Sequence, residues 1–126
     1  KDFDLYNFLK LSNLRKKNKF KSKKINPNFK KIINYANNFS KQNSSKFYFV
    51  YLPSFEEIKK EKLSAEYIQI KNIINELNIQ FIDIYKFIRE REDKMNFFPL
   101  GMHGHYNEFG YKHVGKKIYV EISNSK

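Results

Sequence analysis

Cysteine is absent from this 126-residue chain, which excludes a disulfide-stapled scaffold and every cysteine-based zinc, redox or nucleophile site. Arginine is nearly absent too, since the 25 cations divide into 22 Lys and 3 Arg. The planar guanidinium fork is the group that reads guanine or grips phosphate in two-point fashion, so its scarcity counts against sequence-specific nucleic-acid readout. No apolar run approaches the roughly 18 residues that a membrane span requires. Nor does the chain open on a basic stretch followed by a short apolar block and a small-residue cleavage site. With 40% apolar residues and 22 aromatics, the chain is expected to be a single globular domain with a real core and nothing that spans a bilayer. It begins at Lys1 rather than Met, as expected of a chain processed or excerpted from something longer.

The formal charge of +12 is concentrated at one end. Residues 1–31 hold 11 Lys/Arg against Asp2 and Asp4, and residues 32–126 hold 14 against 11 acids. The excess peaks at Arg15, Lys16, Lys17, Lys19, Lys21, Lys23 and Lys24, a run that would repel itself if packed and is expected to be a solvated loop or connector. Two readings stand. One is an electrostatic footprint for a polyanion such as nucleic acid. The other, which the residue balance favours, is compositional drift: Lys and 15 Asn are what an AT-rich genome encodes.

Along the chain, Phe3, Leu5, Tyr6, Phe8, Leu9, Leu11 and Leu14 recur at spacings of three and four, which predicts a short helix over 3–14. Asn26-Pro27 marks a second helix start, with Asn as the cap and Pro at the first helical position. Phe29, Ile32, Ile33, Ala36 and Phe39 follow at helical spacing, to about Gln42. The continuous apolar run Lys46–Leu52, closed by Pro53, predicts a strand buried on both faces of a parallel sheet. Ser54-Phe-Glu-Glu57 matches a capping box and opens a helical region, broken near Ser64, that ends near Asn78. Ile79–Tyr85 predicts a second buried strand. A crossover of about 25 residues between the two strands implies parallel pairing, so the class is α/β: parallel strands with helical crossovers. A charged helix over 86–93, a loop over 94–106 and a final helix over 107–122 complete the expectation. Two strands are too few for a stable sheet of this kind, which implies further strands upstream of Lys1.

The loop before the last helix carries the chemistry. Phe98 to His113 holds all three histidines and three of the four glycines, Gly101, Gly104 and Gly110. An α/β fold puts its reactive groups in such loops, beyond the carboxyl ends of the strands. Asn107 is the expected N-cap, so His105 would sit two residues ahead of the helix, an imidazole placed to accept a proton.

His105-Tyr-Asn107-Glu-Phe-Gly110-Tyr111 resembles the last motif of the SGNH/GDSL hydrolases, in which His-x-Asn-x-x-Gly opens the C-terminal helix. The order of elements over residues 46–122 is similar to the C-terminal half of that three-layer, flavodoxin-like domain. Phe8-Leu9 and Ser12-Asn13-Leu14 also resemble a helix preceding this half in some envelope-associated members. The resemblance implies that residues 1–126 form one partial domain, with a basic segment over 1–25 and an α/β core over 26–126. It implies a serine esterase or acyl hydrolase acting on an acyl ester or acylated carbohydrate, in the bacterial cytoplasm or cell envelope, with no cofactor. His105 would be the general base. Two departures bear on that implication. No residues match the Gly-Asp-Ser nucleophile motif or the Gly and Asn of the oxyanion hole, so the chain cannot complete the reaction alone. Met102 stands where the family usually places the acid, three residues before the histidine, which leaves Asp93 or Asp83 as candidate partners.

His103 and Asn107 are candidate substrate contacts, while His103 and His105 lack a third ligand at a convincing offset for a metal. His113 falls one helical position from the inner stripe and reads as a boundary residue. Ser54 follows a strand, but no Gly-x-Ser-x-Gly elbow surrounds it and capping explains it. The alternatives to an esterase are a catalytically silent SGNH-like domain in envelope polysaccharide acylation or assembly, and a basic polyanion-binding module.

Overall fold

A computed structural model describes residues 24–125. The expected helix over 3–14 and the basic run from Arg15 to Lys23 lie outside the described residues, and Lys24 is exposed. The chain is mixed α/β, mostly helical, with a two-stranded parallel sheet among the described residues. Helix α1 (Asn28–Gln42) leads to β1 (Tyr48–Tyr51), then α2 (Phe55–Lys60), α3 (Ala65–Glu76), β2 (Gln80–Asp83), α4 (Ile84–Arg89) and α5 (Glu108–Ser123). Short 3-10 turns at Lys94–Phe97 and Pro99–Gly101 fill the connection before α5.

β1 and β2 pair in parallel, Tyr48 opposite Gln80 and Tyr51 opposite Asp83. Alternation along the strands sends Phe49, Tyr51 and Phe81 to one face. There Phe49 meets Phe29 of α1 edge-on at 6.1 Å, and Tyr51 and Phe81 meet Tyr67 of α3 at 4.8 and 6.0 Å. The other face belongs to Ile82, which joins Phe55, Ile58, Ile84, Ile88, Phe97, Phe98 and Val114 in the main cluster. The Tyr48 hydroxyl reaches Ser125, just beyond α5, at 2.7 Å. Helices thus cover both faces, as a parallel pair requires.

The structure moves several boundaries for identifiable reasons. α1 starts at Asn28, and Asn26 accepts the Asn28 amide from outside the helix at 2.9 Å. Proline therefore takes the cap position rather than the first helical one. Only Phe29, Ile33 and Ala36 of its apolar set turn inward, leaving Ile32, Tyr35 and Phe39 exposed. β1 is half-buried at every position rather than buried on both faces, because nothing described pairs with its outer edge. The break near Ser64 is real: Glu61 ends α2 in the left-handed region (φ 49°) and Ser64 caps α3 through the Tyr67 amide. β2 stops at Asp83 because that side chain accepts the Tyr85 amide and starts α4 two residues ahead of expectation.

The stretch expected as a loop over 94–106 also supplies core. Phe97 is fully buried and Phe98 nearly so, with Phe97 edge-on to Phe109 of α5 and Phe98 to Phe55 of α2. No helix among the described residues is long and apolar enough to cross a membrane.

Candidate functional site

The loop that carries the histidines is held by backbone bonds as far as Met102 and again at its end. Asn107 caps α5 by accepting the Gly110 amide at 2.9 Å, while its own side-chain amide donates to the Asn96 carbonyl at 2.9 Å. The Asn107 backbone amide donates to the Phe97 carbonyl, also at 2.9 Å. Gly110 then lies so close to that turn that a Cβ would fall 2.6 Å from the Phe97 carbonyl oxygen. No side chain fits there, which gives the glycine of the motif a packing reason.

Tyr106 adds a long-range hydrogen bond. Its hydroxyl donates to the Pro53 carbonyl at 2.6 Å, two residues past the end of β1. Its ring packs on Phe98 (5.1 Å) and meets Tyr111 edge-on (5.8 Å). Burial, with the charge of Glu57 adding to it, pushes the phenol well above its ordinary range, so it stays a donor. The histidine loop is thereby fastened at the carboxyl end of β1, where parallel sheets present their chemistry.

His105 is exposed, immediately ahead of this anchor, and His103 is exposed with its ring 5.9 Å from that of Phe55. The turn before them holds Leu100 in the left-handed region (φ 52°) with 89% of its surface exposed, followed by Gly101 at φ 63°. His113 is half-buried on α5, its Nδ1 2.8 Å from the Phe109 carbonyl oxygen and its ring against Phe97 and Phe109.

Neither candidate acid is hydrogen-bonded to His105. Asp83 accepts from the Tyr85 amide and, at 2.6 Å, from the Tyr67 hydroxyl. Asp93 is gripped at two points by Arg91, both at 2.7 Å, and that guanidinium holds its carboxyl below the usual range. Ser54 is engaged in the capping box with Glu57, and no cluster of three His, Asp or Glu able to hold a metal exists among the described residues.

Sequence reasoning passed over two side chains. Glu57 is more than a cap partner: its buried carboxylate accepts from the Tyr51 hydroxyl (2.7 Å), the Ser54 amide (2.9 Å) and hydroxyl (3.1 Å), and the Ser64 amide (3.0 Å). Burial pushes its carboxyl up, but the bonds from Ser54, Tyr51 and Ser64 outweigh this and leave it below the ordinary range. Tyr106 was the other, and the signal available was a hydroxylated aromatic beside the histidine of the motif. An open groove of about 400 Å³ follows β2 and α4, lined by Phe81, Asp83, Lys86, Phe87, Glu90, Lys117 and Glu121 among others. His105 does not line it.

No protein-family model matches the chain, and no curated protein or solved structure matches it either.

Proposed function

We propose that this chain is the histidine-bearing C-terminal part of an SGNH-type serine esterase or acyl hydrolase, with His105 as the general base. The observation that carries the reading is the placement of an exposed His105 loop at the carboxyl end of β1, anchored through Tyr106 and Pro53 immediately before the Asn107-capped helix. A serine supplied by another segment attacks the acyl carbon while His105 takes its proton. The tetrahedral intermediate then collapses and the departing alcohol recovers that proton. Water, deprotonated by the same imidazole, releases the acid and regenerates the serine. The test is turnover of short-chain p-nitrophenyl esters by the complete gene product. His105→Ala is expected to lower kcat by roughly a thousandfold or more, and near wild-type turnover in the variant overturns the assignment.

A second reading has one observation in its favour. Met102 stands in place of an acid, and Asp83 and Asp93 are bonded elsewhere, so neither candidate acid orients the imidazole. This favours a catalytically silent SGNH-like domain that binds acylated polysaccharide in the envelope. Binding of acylated glycan by the complete gene product, without turnover of any short-chain ester, is the result that selects it.

A further inference from the structure

A general base needs a fixed pose, because proton transfer depends on heavy-atom distances of about 3 Å and a displacement of about 1 Å can cost a hundredfold. A carboxylate usually holds the ring, and neither Asp83 nor Asp93 is hydrogen-bonded to His105. Backbone bonds restrain the loop as far as Met102, whose amide donates to the Pro99 carbonyl. Beyond the contact of the exposed His103 ring with Phe55, the next tertiary hydrogen bond along the chain among the described residues is the Tyr106 hydroxyl on Pro53 at 2.6 Å. Pro53 is buried, so its carbonyl is a fixed reference point relative to β1.

We propose that Tyr106 is a positioning residue for His105: its hydroxyl, bonded to the Pro53 carbonyl, and its ring, packed between Phe98 and Tyr111, set where the neighbouring imidazole stands over the end of the sheet. The backbone of His105 is one peptide unit from this anchor and takes its direction from it. The inference rests on the reading of His105 as a general base, but the behaviour of the His105 side chain can be observed without any substrate.

The experiment uses the complete gene product as wild type, Tyr106→Phe and His105→Ala. Phenylalanine keeps the ring contacts and removes only the hydroxyl. The imidazole resonances of the three histidines are followed by NMR relaxation, with His113, tethered to its own helix, as an internal reference. Tyr106→Phe is expected to increase the mobility of His105 while leaving His113 unchanged. It is also expected to lower kcat by about tenfold to a hundredfold, with KM held within about twofold. Unchanged relaxation at His105, or equal loosening of His105 and His113, overturns the positioning role, the second result because it marks general destabilisation. If His105→Ala keeps full turnover, the esterase reading falls, and the comparison of His105 with His113 still decides whether Tyr106 holds the loop.

Discussion

The four hydrogen bonds accepted by Glu57 use both carboxylate oxygens twice, Oε1 from Tyr51 and Ser64 and Oε2 from the Ser54 amide and hydroxyl. One side chain therefore links β1, the start of α2 and the start of α3. Glu57→Gln turns one acceptor into a donor facing donors, and is expected to cost about 2–3 kcal/mol by urea unfolding at pH 7. The pH dependence has a definite sign. Because the folded carboxyl titrates below its ordinary value, its contribution is complete above the unfolded pKa of about 4.3 and is lost as the pH falls through the folded value. Urea midpoints of wild type and Glu57→Gln should therefore converge as the pH is lowered from 6 toward 3. A gap that stays constant would show that the charged carboxylate is not the stabilising form.

α5 offers a comparison within one element. Gly110 meets the Phe97 backbone at a distance no Cβ tolerates, while Gly115 has open space around it. Gly110→Ala should destabilise the fold by about 1–3 kcal/mol through overpacking against main chain that cannot step aside. Gly115→Ala should stabilise it by about 0.5–1 kcal/mol by removing helix-interior glycine. Equal shifts in thermal midpoint would contradict the close approach at Phe97. Elements of this kind were legible in the sequence wherever a local rule sets them: the Ser54 capping box, the Asn107 cap and the apolar runs of both strands all lie within a residue or two of expectation. What was not legible depends on the rest of the fold. The stripe of α1 could not reveal which of Ile32 and Ile33 finds a neighbour, and the lack of any helical or strand period over 94–106 hid Phe97 and Phe98 as core. The candidate site was half legible. The histidine motif announces itself, whereas the tie from Tyr106 to Pro53 spans 53 residues and no local pattern encodes it.

At the scale of the molecule, the charge of +12 is tested by its salt response, which separates compositional drift from function. If a polyanion is the biological partner, binding of duplex DNA should be firm near 50 mM salt and weaken by orders of magnitude by about 200 mM. No binding at low salt, or a flat response, removes that reading. The described cations include several already engaged with acids, Lys30 with Glu76, Lys60 with Glu56, Lys117 with Glu121 and Lys94 with Glu61, which tempers the field they can offer a ligand.

The register that sets Tyr48 against Gln80 has a consequence for how the chain is made. Each residue of β1 meets a partner 32 positions further on, so no hairpin can zip the pair together and closure of a long loop must come first. During synthesis the aromatic strand leaves the ribosome well before the segment it pairs with. Until Asp83 has emerged, the edge of β1 that meets β2 stays unpaired, and of the described aromatic partners only Phe29 of α1 and Tyr67 of α3 precede β2 to cover Phe49 and Tyr51.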